Sequence, residues 1–247
     1  MPSSADAVAV VMPAYNEEGC VEAVVSAWLA ATAGLPGSRV IVVDDGSRDR
    51  TGAVLDALAA REPRLSVLHQ ANAGHGAALR RAYEAALGTR LPWVFHVDSD
   101  DQFSPQDFAA LWAVRRSSRF LLGCRKVRHD APHRLVISKT LKLLNLALFG
   151  VWVPDCNIPF RLIRSDFLAK LLAEIPAGVF APNVFLAVLA AKAGEDLGSR
   201  PVSHRDRATG QVSIIRWGLV KACLRSAREL AAFRLRLGGA VARVRGA

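Results

Sequence analysis

Short apolar, β-branched runs alternate with segments of helical spacing along the first half of the chain, and few folds accept that alternation. Val8 to Met12 is a buried-strand run that stops at Pro13. Residues 17–33 carry helical spacing and end near Gly34. Val40 to Val43 is a second strand, closed by Asp44-Asp45-Gly46-Ser47, and Thr51 to Ala60 a second helix. Leu65 to His69 and Trp93 to Val97 are two more strands, with a helix over Gly76 to Leu87 between them; Pro105 to Arg115 begins the next helix. This order predicts an α/β fold with a mostly parallel, Rossmann-like central sheet covered by helices on both faces. Ligands of such sheets gather at the carboxyl ends of the strands. Tyr15 and Asn16, Asp44 and Asp45, and Asp98 and Asp100 all follow strand ends.

The second half is less regular. Residues 135–153 read as one amphipathic, interfacial helix, with Lys139 and Lys142 set among leucines. Further helices are expected over Asp166 to Ala173 and Val184 to Ala193. Residues 1–212 are expected to form one domain, and 213–247 a basic amphipathic helical tail suited to an anionic lipid surface. The chain has 247 residues, 51% of them hydrophobic, enough for one sizeable core. Its net charge of +10 directs it toward polyanions, and the lack of RRM, KH or zinc-finger patterns argues for no nucleic acid. Cys20, Cys124, Cys156 and Cys223 show no Cys-x-x-Cys spacing and read as reduced thiols. The first residues lack the basic stretch of a secretory signal. Leu141 to Val153 is short of the roughly 20 apolar residues a membrane span needs. The expectation is a cytoplasmic protein, peripheral at the inner face of the cell membrane, with a homo-oligomer left open.

Four segments carry chemistry. In Phe95-His96-Val97-Asp98-Ser99-Asp100-Asp101-Gln102, a strand delivers two carboxylates just past its end. Magnesium and manganese take oxygen ligands and commonly share them with phosphate oxygens, so this pair can hold a cation against a diphosphate. A solvated acidic turn is the plainer alternative. In Met12-Pro13-Ala14-Tyr15-Asn16-Glu17-Glu18, Tyr15 can form a wall on which a base stacks. The same residues also read as a strand-to-helix turn with Asn16 as N-cap. In Val43-Asp44-Asp45-Gly46-Ser47-Arg48-Asp49, one aspartate can accept from a base or ribose; alternatively, Ser47 or Asp49 starts the next helix. Asn72-Ala73-Gly74-His75-Gly76 allows close backbone approach before a helix, but no Gly-Lys-Ser/Thr of a Walker loop follows.

Taken in this order, the segments resemble the inverting family 2 glycosyltransferases with the GT-A fold, above all the branch of dolichol-phosphate mannose synthases and bacterial polyprenyl-phosphate glycosyltransferases. The resemblance spans roughly residues 8–215. It implies a nucleotide-sugar site made of Pro13, Tyr15, Glu17, Val43, Asp45, Asp98, Ser99 and Asp100. It implies a divalent cation, Mg2+ or Mn2+, on Asp98, Asp100 and Gln102. Gly123-Cys124-Arg125 resembles the family's Gly-Ser-Arg, which places Arg125 near phosphate. His204-Arg205-Asp206-Arg207-Ala208-Thr209-Gly210 resembles a loop whose arginine, Arg207, closes over the diphosphate, and Asp98, Asp100 and Arg207 are the implied catalytic residues. Arg134 and Ser138 have the spacing of an acceptor-phosphate pair in the polyprenyl branch. Asp155 to Arg161 resembles Asp-x-x-x-Gly-Phe-Arg, with Pro159 in place of the glycine.

Three functions are compatible with these residues. The first is metal-dependent transfer of a hexose from a UDP- or GDP-sugar to a polyprenyl-phosphate lipid. The second is transfer to a hydroxyl acceptor, with Asp155 as the candidate base. The third is a nonenzymatic protein of the same fold that binds anionic lipid.

Overall fold

The computed structural model describes residues 6–125, 143–153, 155–205 and 216–246. Arg134, Ser138 and Arg207 lie outside the described residues, as do much of the segment 135–153 and the start of the tail.

Among the described residues, seven strands form one sheet. They are β1 (Val8–Ala14), β2 (Arg39–Asp44), β3 (Leu65–His69), β4 (Trp93–Val97), β5 (Phe120–Arg125), β6 (Phe160–Arg164) and β7 (Gly198–Val202). Their order is β3-β2-β1-β4-β6-β5-β7. Only β6 runs against its neighbours, antiparallel to both β4 and β5. Every residue of β1 is buried, as expected for a central strand covered on both faces.

The helices are α1 (Val21–Ala31), α2 (Thr51–Ala59), α3 (His75–Gly88), α4 (Phe108–Ala113), α5 (143–149), α6 (Ser165–Glu174), α7 (Pro182–Lys192) and α8 (Arg216–Gly246). Trp28 of α1 packs on Phe95 of β4, with ring centroids 5.0 Å apart, and on Phe160 of β6. This aromatic cluster anchors the floor from which β4 projects its carboxyl end.

Two sequence expectations are corrected. The segment 135–153 does not continue as helix to Val153: α5 stops at 149, where Gly150 takes φ +63° and its N–H closes on the Leu146 carbonyl. Asn16 is not an N-cap. It sits at φ +56°, its side-chain oxygen accepts the Arg48 N–H, and α1 starts only at Val21.

The tail also has a use that composition does not reveal. In α8, Leu230, Phe233, Leu237, Ala240 and Val244 recur at three- and four-residue steps and are buried. Phe233 meets Phe185 of α7 at 5.2 Å and Phe149 of α5 at 6.5 Å between ring centroids. Arg243 forks onto Glu174 of α6. The apolar stripe of α8 therefore covers the domain, and Arg228, Arg234 and Arg236 remain on its exposed face.

Candidate active site

Hydrogen bonds tie three strand ends into one rim. The Asp45 N–H donates to the Ala14 carbonyl, joining β2 to β1. The Ser99 hydroxyl donates to the Pro13 carbonyl at 3.0 Å, joining the extension of β4 to β1. Tyr15, half-buried, stands on this rim between the two acidic segments. Glu17 is buried, and its N–H donates to the Thr51 hydroxyl.

The neighbouring aspartates of the second segment do different jobs. Asp45 Oδ1 accepts from Gln70 Nε2 and the Ala73 N–H, and its Oδ2 accepts from the Gly74 N–H. Its carboxylate therefore fixes the loop that opens α3. That loop packs tightly: a Cβ on Gly46 (φ +69°) would lie 2.7 Å from the Asn72 nitrogen. A Cβ on Gly76 would collide with the carbonyls of Val179 and Phe180. The Val43 side chain is wholly buried, so Val43 shapes the rim only through its strand. Neither residue expected to cap α2 does so: the N-cap is Arg50, Asp49 stands one residue earlier and accepts from the Thr51 N–H and hydroxyl, and Ser47 bonds Asp44.

Asp44 turns to His69, with Oδ2 3.0 Å from Nδ1, while His69 Nε2 lies 2.9 Å from Asp56 Oδ1. The hydrogen bonds to Asp44 and then Asp56 raise the His69 pKa above its ordinary 6.5, against an opposing effect of burial. Stability from a raised pKa is fully present below the unfolded value and is lost as pH climbs through the folded one. His69→Gln should therefore lower Tm more at about pH 6 than at about pH 8.5, by a small margin because the imidazole is part-exposed. Equal losses in thermal melts at the two pH values would contradict it.

The acidic pair sits as its position past β4 requires. Asp98 is a quarter exposed and Asp100 half-buried. Asp98 Oδ1 lies 3.3 Å from His96 Nε2 and 3.9 Å from His75 Nε2, yet makes no well-formed hydrogen bond. Burial pushes the Asp98 carboxyl up, but His75, His96 and the buried Arg161 together overbalance it and hold it below the ordinary carboxylate value. Arg161 is wholly buried, and its guanidinium donates to the carbonyls of Ile158, Cys156 and Asn183. Pro159 is accommodated in the turn that wraps this guanidinium.

Asp98 and Asp100, two carboxylates just past the end of one strand, are the oxygen donors that a hard divalent cation takes. Among the described residues no three His, Cys, Asp or Glu side chains converge as a complete cage. Gln102 spends its amide nitrogen on the Arg205 carbonyl at 3.2 Å, and the Arg205 N–H returns to the Gln102 carbonyl at 2.9 Å. The segment leading to Arg207 is thereby clasped to the acidic loop.

Arg125 is engaged within the protein. Its guanidinium forks onto Asp155, Nε to Oδ2 at 2.8 Å and Nη2 to Oδ1 at 2.9 Å. Both oxygens of Asp155 already accept from that cation, which weighs against Asp155 as a general base.

His75 and His96 lie nearest to Asp98, Asn183 backs His96, and the charge of Arg161, the last residue of the Asp155–Arg161 segment, acts on it. The roles of His75, His96 and Asn183 are not marked by sequence patterns; the one available signal is that His96 stands two residues before Asp98, the period at which an extended chain returns to one face.

The sequence model described as glycosyl transferase family 2 matches residues 9–172. The chain belongs to this family. It is accordingly a glycosyltransferase, which removes the nonenzymatic alternative. A polyprenol monophosphomannose synthase of Mycolicibacterium smegmatis is 30% identical over 210 residues, covering 81% of this chain and 78% of that protein. An undecaprenyl-phosphate mannosyltransferase of Micrococcus luteus is 26% identical over 231 residues, covering 86% and 94%. An undecaprenyl-phosphate 4-deoxy-4-formamido-L-arabinose transferase of Pseudomonas fluorescens is 30% identical over 179 residues; the match covers 71% of this chain but only 52% of that longer protein. Among solved structures, a glucosyl-3-phosphoglycerate synthase from Mycobacterium tuberculosis, in complex with Mn2+, UDP and glucosyl-3-phosphoglycerate, superposes with a TM-score of 0.66 at 19% identity. It covers 92% of this chain and 79% of its own, and the likeness bears out the GT-A fold of this family 2 enzyme.

Proposed function

We propose that this family 2 glycosyltransferase moves a hexose from a UDP- or GDP-sugar to a polyprenyl phosphate at the inner face of the cell membrane, with Mg2+ or Mn2+ bound. The observation that carries the donor half is the Asp98–Asp100 pair just past β4, where hydrogen bonds bring three strand ends together. Asp98, Asp100 and Gln102 would hold the cation, whose charge offsets that growing on the departing diphosphate. Tyr15, Pro13, Glu17, Val43, Asp45 and Ser99 build or brace the wall for the nucleotide. Arg207, two residues beyond the Gln102–Arg205 clasp, would reach the diphosphate.

An acceptor phosphate is already ionised. Its oxygen attacks the anomeric carbon, the bond from that carbon to the diphosphate breaks, and no base is required. This suits a site in which Asp155 is engaged by Arg125. Arg134 and Ser138 would hold the acceptor phosphate, and Arg125 would add positive charge nearby. The relatives named above carry polyprenol or undecaprenyl phosphate in their names, which supports a lipid acceptor. Among the described residues no helix is long and apolar enough to cross a membrane. Leu143, the first residue of α5, and Trp152, just past its end, are about 60% exposed, and they would meet the bilayer at the acceptor side.

Incubating the protein with labelled UDP- and GDP-sugars and polyprenyl phosphate, with and without divalent metal, tests this. One label should enter the lipid phase, and only when metal is present. Transfer solely to water-soluble acceptors would overturn the lipid reading; transfer undiminished by chelator would overturn the metal.

A further inference from the structure

We propose that His96 is a positioning residue for Asp98, held as the Nε2–H tautomer by Asn183. The inference rests on the donor reading above and adds to it a support beneath the acidic pair. His96 is wholly buried in the middle of the sheet, an expensive place for an imidazole without a task. Its Nδ1 faces Asn183 Nδ2 at 3.5 Å, and Asn183 Oδ1 takes the Tyr83 hydroxyl at 3.1 Å. The Asn183 carbonyl accepts from Arg161, which fixes the start of α7 against β6. Tyr83, Asn183 and His96 thus form a polar column inside the core that ends at Asp98 Oδ1.

The direction of the column follows from its ends. A carboxylate can only accept, so the nitrogen 3.3 Å from Asp98 must present a proton rather than a lone pair. Nδ1 must then accept, which aims the Asn183 amide N–H at it and leaves Oδ1 for the tyrosine. With a neutral imidazole, only this arrangement turns each donor of the column toward an acceptor. A small rotation of Asp98 would complete its bond to Nε2 and leave Oδ2 for a cation or diphosphate. The carboxylate would then be aimed before the ligand arrives.

Two measurements test this. Nitrogen chemical shifts of the imidazole in the native protein should read His96 as protonated on Nε2; protonation on Nδ1 would overturn the proposal. Manganese(II) binding with UDP or GDP, followed by electron paramagnetic resonance, should weaken about 10- to 100-fold in His96→Leu, the range for lost support behind a ligand. In transfer assays kcat should fall while KM for the acceptor stays put. His96→Gln, which keeps an N–H donor, should recover most of the binding. Parent-like manganese–nucleotide affinity in the leucine variant, with only Tm reduced, would make His96 a packing residue and overturn the proposal. If His96→Leu does not fold, His96→Gln and Tyr83→Phe decide: a glutamine variant that binds no better than about 100-fold below the parent overturns it. A parent that binds no manganese–nucleotide would defeat the donor reading itself, a failure distinguishable because the tautomer would still read Nε2–H.

Discussion

Asp100→Ala should lower sugar transfer by about 10²–10³-fold or more, the cost of removing one element that stabilises developing charge in a transition state, while the protein stays folded. Asp100 lies in the turn past β4, outside the core, and the turn has anchors of its own. The Ser99 hydroxyl is fixed to Pro13, and Gln102 is clasped to Arg205. Loss of Asp100 therefore leaves the backbone path intact, with a change in stability within about 1 kcal/mol. The two carboxylates are not equivalent. Asp98 Oδ1 faces the buried His96 at 3.3 Å, whereas Asp100 accepts from the Gln102 N–H within the turn, its Oδ1 3.3 Å from that nitrogen. Transfer rates measured across a titration of Mg2+ or Mn2+, beside a melting curve, check this. Near-parent turnover at saturating metal would remove the acidic pair from the mechanism.

How far the sequence reveals this arrangement depends on where each strand lies. β1, β2 and β4 are buried on both faces, so each is an unbroken apolar run that announces itself, and the helices between them carry helical spacing. β6 is equally buried yet hidden, because Arg161 interrupts its run. The guanidinium is satisfied by carbonyls brought from the 156–158 turn and from α7, which no local pattern reveals. β7 reads as Gly-Ser-Arg-Pro-Val, the composition of a turn; it is tolerated because, among the described residues, β7 is an edge strand bonded only to β5. The site divides in the same way. Asp98, Asp100 and Asp45 are legible because they follow strand ends, but the task of Asp45 in fixing the 70–74 loop appears only in three dimensions. His96 looks like any buried polar residue until Asn183, 87 positions away, closes on it.

The tail gives the second large effect, and it separates packing from membrane attachment. Phe233→Ala should cost about 3–5 kcal/mol, as expected for emptying a buried aromatic site. Phe233 is almost fully buried, between Phe185 of α7 and Phe149 of α5. Its loss opens the seam along which α8 covers the domain, so Tm should fall steeply. Arg228, Arg234 and Arg236 face the other way and carry nothing in that seam. Changing those three to glutamine should leave Tm nearly unchanged but weaken binding to anionic vesicles by about 1 kcal/mol for each charge near the surface. The composition of this helix, mixed apolar and basic, suggests one amphipathic face lying on lipid. From Leu230 to Val244 the structure assigns the apolar stripe to the protein interior, which leaves charge and exposed side chains such as Leu235 on the outer face of that stretch. Attachment through this part of α8 is then expected to be electrostatic and sensitive to salt, falling off within a Debye length of roughly 8–10 Å at physiological ionic strength. Vesicle flotation over a salt series, with melting curves for both variants, tests the division. Salt-independent binding that survives loss of the three arginines would show that α8 is not the attachment surface, and would leave that role to the exposed leucines and Trp152 around α5.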